Sequence, residues 1–417
     1  MDGHRKPEPQ DEERVKEGTS FEISQKLLAH DPLIRTVTKI ITDGIEQRAS
    51  DILFEPLETE LQVRYRIDGI LYRHLLLPRS FRDSVITRVK VISGLDISEH
   101  RLPQDGRFKI SFRDSEIDFR VSVIPSSLGE KIALRVLDKS RVALDIDKLG
   151  FDARTIELFK KNLAKPFGMI LVCGPTGSGK TTTLYSALKY IDSIEKNIVT
   201  VEDPVEYQLY GINQLGVYED IGLTFAHALR SILRQDPNII LVGEIRDFET
   251  ADIAVKSALT GHLLLTTLHT TSATGAIVRL INMGIEPFLI ASSCLLIVSQ
   301  VLLRILCPQC KEAYHPAKAI LEELKSYNLA VNEDAVFYNK KGCVDCNNTG
   351  FKGRMAIAES MEINSTIKDL ISLHAPEGEL RAATIKTGMA ALRENGFHLV
   401  LGGFTSIEEV LRVTSLI

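Results

Sequence analysis

Apolar positions along the chain change rhythm twice. From Leu33 to Ile45 they recur at helical spacing, as Leu33, Ile34, Val37, Ile40, Ile41 and Ile45, which predicts a helix with one buried stripe. The next stretch, "ILFEPLETELQVRYRIDGILY", alternates apolar with polar in two runs joined by Glu58, Thr59 and Glu60, the pattern of a hairpin buried on one face. A helix near residues 79 to 93 and two strand-like runs, "EIDFRVSVI" and "EKIALRVL", complete an expected α+β domain over residues 31–140. Residues 1–30 open on "MDGHRKPEPQDEERVKEGTS", polar and charged, and read as a disordered lead-in with no signal-peptide core.

After an expected linker at 141–165, the pattern becomes one of short strands followed by helices. Runs ending at Cys173, Val201, Val242 and Leu265 are apolar nearly throughout, which predicts a parallel sheet buried on both faces within a domain spanning 166–417. The uncharged run from Pro287 to Leu303 falls short of the roughly 20 residues that span a bilayer. It contains Ser292, Ser293, Ser299 and Gln300, and is expected to be a core helix rather than a transmembrane segment.

Composition adds little, being near the globular average at 44% hydrophobic and 25% charged. A net charge of −5, no tryptophan and no basic stripe with stacking aromatics argue against nucleic acid as a partner. The cysteines change the picture more. With no export signal, "CPQC" (Cys307, Cys310) and "CVDC" (Cys343, Cys346) suggest metal ligands rather than disulfides, while Cys173 and Cys294 sit alone in apolar settings as core residues.

The sharpest chemical signal is "GPTGSGKT", Gly174 to Thr181, between the strand "MILVC" and the helix "TTTLYSALKYI". It matches the phosphate-loop pattern in full: the glycines let backbone N–H groups converge, Lys180 offers charge to the β and γ phosphates, and Thr181 offers a hydroxyl to Mg²⁺. Ligands of open parallel sheets bind beyond the carboxyl ends of the strands. The later strands deliver Glu202 and Asp203, Glu244 and His269 to that edge, which makes it a candidate catalytic site. Gly243 stands where P-loop enzymes usually place a metal-supporting aspartate, so that Glu244 is free to orient or deprotonate the attacking water; an ion pair to Arg246 or Arg230 is the alternative reading. Arg230 and Arg234 are spaced to share a helix face, and Arg120 and Arg135 fall on two strands of the first domain. Taken alone, all four arginines could be solvated charge.

These motifs resemble those of the secretion ATPase superfamily, the hexameric motors of type II secretion and type IV pilus assembly. "GPTGSGKTTTLYSAL" is similar to its Walker A motif, "TVEDPVEYQLYGINQ" to its Asp box, "LRQDPNIILVGEIRDFETADIAVKSALTGH" to its Walker B region and "GHLLLTTLHT" to its His box, and the likeness covers about residues 31 to 415.

The resemblance implies an α/β fold: a RecA-like P-loop ATPase domain, a smaller PAS-like N-terminal domain and a zinc-binding subdomain near residues 303–358. It implies ATP and Mg²⁺ held by Gly174, Pro175, Thr176, Gly177, Ser178, Gly179, Lys180, Thr181 and Thr182, with Glu244 catalytic, Glu202 assisting the water or metal, and His262 and His269 sensing the γ-phosphate. Arg120 and Arg135 would clamp the nucleotide from the N-terminal domain, with Arg230 and Arg234 as further arginines. The four paired cysteines correspond to a structural zinc knuckle of assembly-type members, which suits tetrahedral thiolate ligation and argues against a pilus-retraction motor. A hexamer is implied, cytoplasmic and peripheral on the inner membrane, acting through platform proteins there.

Two departures are visible. Val301 stands where the family commonly has arginine, and about 30 residues occupy the place of a further N-terminal docking domain. A nucleic-acid translocase and a nucleotide-gated scaffold without turnover are the rival readings.

Overall fold

The structure, a computed structural model, describes residues 20–21, 32–138, 144–327, 329–332 and 334–415. The chain divides into two units, residues 1–141 and 142–417. Of the expected disordered lead-in, all but Ser20–Phe21 lies outside the described residues, and those two form a strand.

The first unit runs β1 (Ser20–Phe21), α1 (Pro32–Glu46), β2 (Ala49–Pro56), β3 (Glu60–Ile67), β4 (Ile70–Pro78), α2 (Arg82–Ile92), β5 (Gln104–Phe112), β6 (Ser115–Ser126) and β7 (Gly129–Leu137). Its sheet has the order β1-β5-β6-β7-β2-β3-β4, antiparallel apart from the β1–β5 pair. Alternation sets its faces: Ile117, Phe119, Val121 and Val123 of β6 join Ile132 and Leu134 of β7 in one core with α1 and α2. The expected hairpin becomes a three-strand meander, because Asp68 and Gly69 adopt positive φ (49° and 86°) and turn the chain into β4. Lys90, fully buried on α2, is held by Glu130 Oε1 at 2.5 Å and donates to the Glu99 carbonyl at 2.6 Å, which fixes the loop before β5.

The second unit opens with α3 (Ala153–Leu163), β8 (Gly168–Cys173), α4 (Lys180–Ile191), β9 (Ile198–Glu202), β10 (Asn213–Gly216), α5 (Phe225–Ile232), β11 (Ile239–Val242), α6 (Phe248–Leu259), β12 (Leu263–Leu268), α7 (Ala273–Asn282), α8 (Pro287–Ser293) and β13 (Cys294–Leu306). There follow β14 (Glu312–Tyr314), α9 (Lys318–Ser326), β15 (Phe337–Asn339), β16 (Phe351–Glu362), α10 (Ser365–Ser372), α11 (Glu377–Lys386), α12 (Leu392–Leu401) and α13 (Ile407–Thr414). The large sheet has the order β10-β9-β11-β12-β8-β13-β16, parallel except for β16.

Every residue of β8, β9, β11 and β12 is buried, as expected for strands covered on both faces. Met169 and Leu171 of β8 face the core shared with α5 to α8, while Ile170 and Val172 face the core shared with α3 and α4. Two expectations need correction. The linker at 141–165 contains α3, whose Leu158, Phe159 and Leu163 pack into that second core. The apolar run from Pro287 to Leu303 is helix only to Ser293 and then strand β13, which sits between β8 and β16 and is buried on both faces. Among the described residues no helix is long and apolar enough to cross a membrane.

Candidate active site

Strand β8 ends at Cys173 and the phosphate loop follows directly. Gly174, Gly177 and Gly179 take φ of 144°, 79° and 90°, conformations strained for any side chain, and a Cβ on Gly174 would lie 2.3 Å from the Gln300 carbonyl. Gly179 is the N-cap of α4 and supplies no side-chain acceptor, so the first N–H groups of this helix remain for an anion. Buried Ser178 Oγ likewise has no hydrogen-bond partner among the described residues. Lys180 Nζ donates to the Gly174 and Pro175 carbonyls at 2.9 and 3.1 Å, which leaves one of the ammonium's donors for a ligand. Burial lowers the Lys180 pKa, an effect that the charge of Glu244 partly offsets. Uncapped amides, an unpartnered hydroxyl and a desolvated cation fit the phosphates of a nucleotide, and Thr181 and Thr182 follow on the first turn of α4.

Glu244 lies two residues past β11 and is 9% exposed. Its Oε2 is 3.1 Å from His269 Nε2, at the end of β12, and its Oε1 is 2.5 Å from Arg246 Nη2. The ion pair weighed as an alternative is therefore present with Arg246, while Arg230 pairs with Glu249 instead. The charge of Asp203, at the end of β9, also favours the charged form of Arg246, after the larger effect of Glu244. Gly243 has a further reason to be glycine: a Cβ there would meet Val201 O and Glu202 Cα of β9 at 3.3 Å. The close approach of two strands restricts this position.

Glu202 does not behave as expected for a group that assists water or metal. Its carboxylate, 4% exposed, accepts from Tyr185 Oη, from Thr200 Oγ1 at 2.6 Å and from Gln214 Nε2 at 3.1 Å. Burial first, then the Glu202 charge, raises the Tyr185 pKa and keeps the phenol protonated as a donor. Three of its roughly four acceptor sites are thus used in joining α4, β9 and β10. His262 is also displaced from expectation, because it precedes β12 and donates from Nδ1 to Ser257 O at 3.1 Å. A six-residue strand, roughly 20 Å of rise, separates it from His269.

The arginines divide. Arg230 lies on α5, and Arg234 lies in the turn beyond it, donating to Arg230 O and Ser231 Oγ at 3.0 and 3.1 Å. In the first unit Arg120 faces Arg135 across β6 and β7, in a row continued by Arg107 on β5 and by Asp51 on β2. Arg135 Nε is 3.4 Å from Asp51 Oδ1.

Sequence reading missed Gln300. Its Nε2 donates to Ser178 O at 2.7 Å, its Oε1 accepts from Thr183 Oγ1 at 2.8 Å, and at 1% exposure it ties the phosphate loop and α4 to β13. A lone amide inside an uncharged run was the available signal. Gln300→Ala strands the two buried groups and is expected to cost about 2 kcal/mol of stability. The loosened loop should weaken ATP binding about tenfold; nucleotide titration with chemical denaturation measures both.

The four paired cysteines meet between β13 and β16. Their sulfurs all lie within 4.8 Å of one another, and the pairs Cys307–Cys343, Cys310–Cys346 and Cys343–Cys346 are 3.9, 3.8 and 3.8 Å apart. Thiolates about 2.3 Å from one tetrahedral zinc would be separated by roughly 3.8 Å, so the donor set fits that metal. Backbone N–H groups of Gly342, Cys343 and Gly350 point at the sulfurs at 3.2 to 3.4 Å. Cys173 and Cys294 are buried elsewhere, their thiols pushed up by burial to about 11 and about 12.

Residues 26–412 match the family described as Type II/IV secretion system protein. The Myxococcus xanthus type IV pilus assembly ATPase PilB is 50% identical over 389 residues, which cover 92% of this chain and 68% of the relative. The Vibrio cholerae type II secretion system ATPase E is 44% identical over 383 residues, covering 92% and 75%. Among solved structures, the pilus retraction motor PilT with bound ADP aligns with a TM-score of 0.59 at 26% identity, covering 90% of this chain and 96% of that one. The Legionella pneumophila ATPase DotB has the same fold, with a TM-score of 0.66 at 20% identity over 97% and 98% of the two chains.

Proposed function

The chain belongs to the Type II/IV secretion system protein family, and from that membership and the chemistry of its P-loop edge we propose that it is a homohexameric motor driving assembly of pilin-like subunits. It is a P-loop ATPase of the type II secretion and type IV pilus assembly kind. The observation that carries the mechanism is the Glu244–His269 pair, delivered by adjacent strands to the edge that also holds the phosphate loop.

Backbone amides of the loop and Lys180 hold the β and γ phosphates, and the Thr181 hydroxyl would hold Mg²⁺, which neutralises charge on the phosphate oxygens. Glu244, paired with Arg246, orients the attacking water and takes its proton, while His269 fixes the carboxylate's rotamer. Positioning and charge stabilisation supply most of the acceleration in such a transfer. In this proposal Arg120 and Arg135 contribute arginine contacts to the nucleotide, Arg230 and Arg234 serve other contacts of the assembled motor, and the cysteine cluster holds one structural zinc. The motor works peripherally at the cytoplasmic face of the inner membrane, through platform proteins of a secretion or pilus machine.

Phosphate release by the purified chain tests the enzyme reading, and its absence would favour a non-hydrolysing scaffold. Stimulation by DNA or RNA would favour a translocase. Mass determination with nucleotide bound tests the hexamer, and the inner-membrane proteins that co-purify decide between secretion and pilus assembly.

A further inference from the structure

A further buried carboxylate, besides Glu202 and Glu244, lies close to this edge, and the hydrolytic scheme does not use it. Glu359 on β16 stands opposite Ser299 of β13, which stands opposite Cys173 of β8, the residue before the phosphate loop. It is 0% exposed, and burial raises its pKa despite a backbone hydrogen bond to Ala273 and the charge of Arg381. Its Oε1 accepts from Ala273 N, the first residue of α7, at 2.7 Å, and its Oε2 faces Arg381 Nη1 of α11 at 3.5 Å. The amide of Leu392, at the start of α12, favours its ionised form as well.

What Glu359 holds is the short segment linking His269 to α7. That segment is tied at several points. Ser299 Oγ donates to Thr271 O at 3.2 Å, while Ser272 Oγ and Thr274 Oγ1 donate to Glu377 Oε1 of α11 at 3.1 and 2.9 Å. The side chain of His269 itself is 49% exposed and meets Glu244. An imidazole on an exposed loop end holds a fixed approach to a carboxylate only if the loop is fixed.

We propose that Glu359 is a positioning residue for ATP hydrolysis: by anchoring Ala273 N–H it sets the loop that presents His269 to Glu244, and through Arg381 it ties that loop to helix α11. The inference rests on the ATPase reading of the edge. Glu359 is 0% exposed and its contacts are Ala273 N and Arg381, so in this proposal its removal acts through His269.

The test compares Glu359→Ala and Glu359→Gln in the full chain, each alone and with His269→Ala. Glu359→Ala is expected to lower kcat about tenfold or more while KM for ATP moves less than about threefold. On the His269→Ala background the same change should cost less than about twofold. Glutamine keeps an acceptor for Ala273 N–H and should restore kcat to within about threefold of the unmodified chain. An equal loss on both backgrounds, or a glutamine variant as impaired as alanine, would overturn the proposal. If Glu359→Ala does not fold, Ser299→Ala, which cuts the tie to Thr271 O, enters the same cycle with the same expected non-additivity. The His269 imidazole resonance reads positioning without turnover and should shift in Glu359→Ala; an unchanged resonance overturns the proposal. An unmodified chain that releases no phosphate overturns the ATPase reading instead.

Discussion

Glu244→Gln is expected to lower kcat by about 10² to 10⁴ while ATP binding stays within about threefold. Glutamine is nearly isosteric and can still meet His269, so the edge keeps its shape, but its amide cannot accept the proton of the attacking water. At about 1.4 kcal/mol per decade the loss is about 3 to 5 kcal/mol of transition-state stabilisation. Binding should be spared because, in this proposal, the phosphates rest on Lys180 and the loop amides, and the hydrogen bonds of Lys180 do not involve Glu244. A titration with fluorescent nucleotide and a phosphate-release assay separate the two quantities. Unchanged turnover would remove Glu244 from the catalytic role and leave it as the ion-pair partner of Arg246.

The other large effect concerns the cysteine cluster. Elemental analysis should find about one zinc per chain, as a closed four-thiolate site implies. Removing the metal by chelation, or Cys307→Ser, should destabilise the second unit by at least about 3 to 5 kcal/mol, roughly 10 °C in Tm. Four thiolates this close repel one another unless a cation lies among them. Burial and its neighbours push the Cys310 thiol up to about 12, whereas for Cys346 the amides of Cys343 and Gly350, with the Cys310 and Cys343 side chains, together outweigh burial and bring it down to about 7. A metal-free chain with an unchanged thermal transition would overturn the zinc assignment.

Much of the site was legible in the sequence because its parts are local. A phosphate loop needs a strand, a glycine turn and a helix in unbroken succession, and Gly174 to Thr181 lie in that succession. Glu244 and His269 were legible for a related reason, since parallel strands deliver their trailing residues to one edge. What escaped depended on partners far along the chain. Glu202 shares a strand end with Asp203, yet only the fold shows that Tyr185, Thr200 and Gln214 occupy its carboxylate. His262 falls within the same motif as His269, but β12 runs between them. The apolar run through Leu303 was ambiguous by nature: a strand buried on both faces has no alternation to distinguish it from a core helix. The misread run contains Gln300, so the support beneath the phosphate loop went unseen with it.

Strands β13 and β16 are the longest in the second unit, at 13 and 12 residues, and they pair along nearly their whole length. The middle of this ribbon lies under the phosphate loop at Gln300, and one end runs into Cys307. The two points are roughly 20 Å apart along a single extended backbone. No side chain needs to cross that distance, because a paired ribbon resists bending as a beam does. The cysteine cluster should therefore influence ATP hydrolysis through stiffness alone, as a clamp at one end of a beam whose middle supports the phosphate loop.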